Sequence, residues 1–158
     1  MYFDIKLGGK AVGKIIFMGR TGCGKTTLCQ KLSELEIRYK KTQAIELYDN
    51  AIDTPGEYLE NRNYYRALIN TAVDAKLIAL IADPTAHDNY IPPAFAGTFA
   101  KELIGIITKI NLVKDESAIT KVERSLREAG VTRIFKVDTI DDVGIEELFA
   151  YIHEKIDD

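Results

Sequence analysis

Short apolar runs alternate with helix-period segments along the chain. Residues 12–18 read as a first strand, which runs directly into GRTGCGKTT. A helix follows with Leu28, Leu32 and Leu35 on one face. Residues 36–42, EIRYKKT, are polar and basic and read as an exposed loop. Residues 44–48 and 50–53 are predicted as two short strands around a tight turn at Asp49-Asn50, before DTPGE breaks the pattern. Tyr65, Leu68, Ile69 and Ala72 then recur at helical spacing within 62–73. KLIALIA, residues 76–82, is a continuous apolar run of the kind covered on both faces.

The second half repeats the alternation. Residues 83–98 form a Pro-containing connection with a short helix predicted from Pro92. LIGIIT, residues 103–108, is another buried strand. Ile119, Val122 and Leu126 mark a helix ended by Gly130, and residues 133–137 form the last strand. Ile145, Leu148, Phe149, Ile152 and Ile156 give the closing helix one apolar stripe. The expected fold is α/β, three-layered, with a mostly parallel sheet of about six strands. Residues 1–11 precede the first predicted strand and read as an extension.

Composition changes this picture little. The 158 residues, 46% hydrophobic and 28% charged, suit one domain spanning 1–158. A net charge of −3 argues against a nucleic-acid partner or an anionic membrane surface. No apolar run is long enough to span a bilayer and no signal-peptide pattern opens the chain, so the expected location is cytoplasmic. Cys23 and Cys29 read as small buried thiols.

The candidate chemistry begins at Gly19-Arg20-Thr21-Gly22-Cys23-Gly24-Lys25-Thr26, an ungapped G-x-x-x-x-G-K-[ST] loop. Glycines let the backbone aim successive N–H groups at phosphate oxygens, and the helix that starts here adds its unsatisfied amides, Thr27 included. Lys25 is a cation for the β- and γ-phosphates, and the Thr26 hydroxyl is placed for Mg²⁺. The motif follows a predicted strand and opens a predicted helix, which is the context that gives it meaning.

Further signals lie where strands end. Asp53 is a candidate Mg²⁺ ligand opposite Thr26, and Gly56 a donor to the γ-phosphate. Thr42 is a candidate second hydroxyl for the metal, with a catalytic part in ordering the loop. Glu57 stands where a water-orienting residue would, and can accept a proton from water or a substrate hydroxyl.

Thr108-Lys109-Ile110-Asn111 looks like the [NT]-K-x-D base-recognition signature, with Asn in place of Asp. An Asn amide offers one acceptor and one donor, so guanine would meet a mismatch of about 1–3 kcal/mol. Guanine, xanthine and adenine all stay open. Asp138 and Thr139 follow the last strand, where a loop against the base belongs.

YKKTQAIELYDNAIDTPGEYLENRNYY, LIALIADPT, IPPAF and IGIITKIN together resemble the EutP/PduV family of ethanolamine- and propanediol-utilisation proteins. The resemblance covers residues 14–111 and continues more loosely to Phe149. It implies a small Ras-like P-loop NTPase fold and a role in those pathways, often alongside bacterial microcompartments. It also implies acetate kinase-type phosphotransfer between ATP and acetate as one activity. Three functions therefore compete. The first is a Mg²⁺-dependent, ATP- or GTP-binding switch with slow hydrolysis. The second is an acetate-using phosphotransferase. The third is a non-catalytic module that binds microcompartment shell proteins.

Overall fold

The run LIALIA becomes β4 (Leu77–Ala82), with all six residues buried. In the computed structural model, which describes residues 2–7, 10–42, 51–52, 65–73 and 75–157, this strand lies inside a six-stranded sheet. The other strands are β1 (Tyr2–Leu7), β2 (Lys10–Met18), β3 (Ala51–Ile52), β5 (Glu102–Ile107) and β6 (Arg133–Lys136). Their order is β3-β1-β2-β4-β5-β6. β2, β4, β5 and β6 are mutually parallel, while β1 pairs antiparallel with both β2 and β3.

The period of two along each strand sends side chains to opposite faces. Leu77, Ala79, Ile81, Ile104 and Ile106 pack on one side with Leu28, Leu32, Leu148, Ile152 and Ile156. Those partners belong to α1 (Lys25–Thr42) and α4 (Ile145–Asp157). Ile78, Leu80, Ala82, Leu103 and Ile107 pack on the other side with Ala72, Val122 and Leu126. These come from α2 (Tyr65–Ala72) and α3 (Glu116–Glu128). The result is three layers, as the alternation predicts. Fully burying a side chain such as Leu126 stabilises the fold by about 1.5–3 kcal/mol. At the start of α3, Asp115 accepts a hydrogen bond from the Ser117 N–H at 2.9 Å and caps the helix.

Three expectations are corrected. Residues 2–7 are not an extension but the strand β1, and β2 starts at Lys10 rather than at Val12. Residues 36–42 are not a loop, because α1 continues through Thr42. The helix predicted from Pro92 is only a 3-10 turn, Phe95–Thr98, preceded by Ala94 in the left-handed region (φ 57°). The predicted turn at Asp49-Asn50 and the strand at 44–48 lie outside the described residues.

Candidate phosphate-binding site

The site sits beyond the carboxyl ends of the parallel strands, the expected place in an open α/β sheet. β2 ends at Met18 and α1 starts at Lys25, so the intervening turn is all glycine-rich loop. Gly22 and Gly24 adopt φ of 78° and 99°, which L side chains rarely tolerate. Gly19 is needed for a different reason. A Cβ there would meet Cys23 Sγ at 2.6 Å and the Ile81 carbonyl at 2.8 Å.

Lys25 folds back over this loop. It is 8% exposed, and its Nζ donates to the carbonyls of Gly19 at 2.6 Å and Arg20 at 2.9 Å. A buried ammonium held by carbonyls, with the helix start beside it, makes this loop locally positive in a chain of net negative charge. Thr26 and Thr27 stand exposed on the first turn of α1. Burial pushes the Cys23 thiol above its ordinary value, only partly offset by the Lys25 charge.

The neighbouring strand ends converge on the loop. The Thr108 hydroxyl, after β5, donates to the Cys23 carbonyl at 2.7 Å. Lys109 has φ of 55°, and its Nζ donates to the Gly22 carbonyl at 2.8 Å. The same ammonium meets Asp83 Oδ2 at 2.6 Å. Asn111 is exposed on the 3-10 turn Ile110–Leu112. Asp138 follows β6 on the same edge of the sheet and is 2% exposed. Its Oδ1 accepts from the Ile140 N–H at 2.8 Å, which shapes the turn that carries Thr139.

The phosphate loop and the Thr108-Lys109 pair, far apart in sequence, are thus brought together. Thr42 is not brought to them: it ends α1, about 25 Å from Lys25 at the helical rise per residue. Asp53, Gly56 and Glu57 lie outside the described residues.

Sequence reasoning missed Asp83. This carboxylate follows β4 directly and is 4% exposed. Its Oδ1 accepts from the Thr85 N–H at 2.8 Å and the Thr85 hydroxyl at 2.6 Å. Burial alone would raise its pKa, but the Lys109 and Thr85 hydrogen bonds together outweigh burial and hold it below the usual carboxylate value. An acidic residue ending a wholly apolar strand was the available signal. Arg20 is a predicted cofactor-binding residue of the loop. Its side chain donates to the Asp88 carbonyl at 2.7 Å, and the guanidinium carbon lies 5.8 Å from the Tyr90 ring centroid.

The fold and the relatives agree. A translation elongation factor SelB from Methanococcus maripaludis, solved with the GTP analogue GppNHp, superposes with a TM-score of 0.61 at 18% identity. The match covers 91% of this chain but only 33% of that one, and it shows that the two share a fold. The propanediol utilization protein PduV of Citrobacter freundii is 37% identical over 90% of this chain and 94% of its own. A protein of Escherichia coli K12 named probable acetate kinase EutP is 30% identical over 88% of each chain. Its namesake in Salmonella typhimurium is 32% identical over the same shares. The family model described as "Ethanolamine utilisation - propanediol utilisation" matches residues 12–154, and the chain belongs to this PduV-EutP family.

Proposed function

We propose that this protein binds a Mg²⁺-nucleoside triphosphate at Gly19 to Thr26 and hydrolyses it slowly in ethanolamine or propanediol utilisation. The supporting observation is Lys25, a buried ammonium poised over a loop in which Gly22 and Gly24 hold positive φ. Gly19, Arg20, Thr21, Gly22, Cys23, Gly24, Thr26 and Thr27 contribute the loop and the helix start. Thr26, exposed on the first helical turn, fits a metal-ligand role, with Asp53 as its proposed companion. When bound, Mg²⁺ would neutralise phosphate charge. Gly56 is assigned to the γ-phosphate and Glu57 to orienting water. Thr108, Lys109, Asn111, Asp138 and Thr139 are assigned to the base side.

Base choice is broad in this reading. Guanine discrimination calls for an available carboxylate, and position 111 has an amide. Asp83 is engaged by Lys109 and Thr85, and Asp138 Oδ1 by the Ile140 N–H. Calorimetric titration with ATP, GTP and XTP, each with Mg²⁺ and then with excess chelator, tests both assignments. Asn111→Asp is expected to shift affinity toward GTP by about tenfold. Unchanged affinities for all three nucleotides in the variant remove Asn111 from the base site.

A second reading is favoured by the names of the Escherichia and Salmonella relatives, probable acetate kinases. In it an acetate oxygen attacks the γ-phosphorus of ATP, the bond to the ADP leaving group breaks, and acetyl phosphate forms. Acetate-dependent ADP release that vanishes in Lys25→Ala supports it. Absence of acetyl phosphate with every nucleotide ends it. The proposed location is the cytoplasm beside a microcompartment. Shell-protein binding that survives Lys25→Ala unchanged, in a protein that turns over no nucleotide, would instead favour a targeting module.

A further inference from the structure

We infer that Asp83 is a positioning residue for the nucleotide base, acting through Lys109; this rests on the nucleotide reading above. Lys109 reaches the site from a left-handed backbone (φ 55°), with its side chain about one-third exposed at 32%. A lysine so placed presents its stem to whatever lies at the loop's edge, but its four-carbon chain is flexible. Two contacts fix its end: the Gly22 carbonyl at 2.8 Å and Asp83 Oδ2 at 2.6 Å. Only Asp83 carries charge.

Asp83 is itself clamped from every side. Thr85 satisfies Oδ1 through both its N–H and its hydroxyl. The Asp83 N–H donates to Asn89 Oδ1 at 2.8 Å, and the Asn89 amide donates back to the Asp83 carbonyl at 2.9 Å. Arg20 ties the phosphate loop to the same segment through the Asp88 carbonyl. Residues 83–90 therefore form a brace that joins the phosphate loop to the base-side lysine. Holding a flexible cation in one geometry before a ligand arrives removes part of the ordering cost of binding.

The test separates base from phosphate. MgATP, MgGTP and Mg-tripolyphosphate are titrated into the wild type, Asp83→Asn, Thr85→Val, Lys109→Ala, Lys25→Ala and the Asp83→Asn/Lys109→Ala double variant. Asp83→Asn keeps the size and the acceptor for Thr85 but faces Lys109 with an amide. It is expected to weaken nucleotide binding about tenfold, the scale of a hydrogen bond between charged groups, and to leave tripolyphosphate binding unchanged. Thr85→Val, at an exposed position, is expected to act in the same direction more weakly. In the Lys109→Ala background, Asp83→Asn should have no further effect. Equal losses for nucleotide and tripolyphosphate, or a full effect without Lys109, would make Asp83 a structural staple and overturn the inference. Full nucleotide affinity in Asp83→Asn overturns it alone. A wild type that binds neither nucleotide overturns the nucleotide reading and this inference together.

Discussion

The Thr108 hydroxyl donates to the Cys23 carbonyl at 2.7 Å, joining positions 85 residues apart. This bond fastens the end of β5 to the phosphate loop, and Thr108 is 2% exposed. Thr108→Val keeps the shape and removes the donor. The Cys23 carbonyl then loses this hydroxyl in a dry setting, at about 1–3 kcal/mol. Urea unfolding should show a lower midpoint with an unchanged slope. A midpoint equal to that of the wild type contradicts this role.

Two glycines of the loop should fail for different reasons. Gly19→Ala places a methyl against Cys23 Sγ at 2.6 Å and the Ile81 carbonyl at 2.8 Å, so backbone must move. About 1–3 kcal/mol of stability is expected to be lost. At Gly22 nothing lies within 4 Å of the added methyl, and only φ of 78° opposes it. Gly22→Ala should therefore lose about 1–2 kcal/mol by torsion alone. Thermal unfolding of both variants, with Gly19→Ala alone also repacked in its crystal structure, checks the distinction.

Cys23 and Cys29 are both buried, and burial pushes the Cys23 thiol upward. The thiolate is the reactive form. Iodoacetamide at pH 8 should leave both cysteines of the native protein unmodified and label both after denaturation, as read by mass spectrometry. Rapid native labelling of Cys23 would show that the loop opens on the reagent's timescale.

The Asp83 carboxyl has a lowered folded-state pKa, so its contribution is present above the unfolded value and is lost as pH falls through the folded one. With an unfolded value of about 3.9, the loss belongs below about pH 4. Asp83→Asn should be less stable than the wild type at pH 7, and the gap should narrow as pH falls through that acidic range. A gap that stays constant down to pH 2 rules out the ion pair as its source.

The strand-loop-helix arrangement around Gly19 to Thr26 was legible because strand, glycines, lysine and helix stand contiguously in sequence. Thr108 and Lys109 were legible because they end an apolar strand in a motif-like pattern. Residues 36–42 misled because Glu, Arg and Lys favour helices as readily as they favour water, so polarity alone did not mark a loop. The tail 2–7 carried a strand's alternation in YFDIKL, but nothing local showed which strand it would pair with. Asp83 was missed because its partners lie at Thr85, Asn89 and Lys109, and only folding closes the last of these distances.

In the proposed function Lys25 holds the phosphates of a Mg²⁺-nucleotide. The most direct measurement of that role is calorimetric titration of MgATP and MgGTP into the wild type and Lys25→Ala, with folding of the variant checked by circular dichroism. Saturable binding of at least one nucleotide by the wild type is expected. The folded variant is expected to lose about a hundredfold or more in affinity. No binding by the wild type, or equal affinity in Lys25→Ala, would contradict that role.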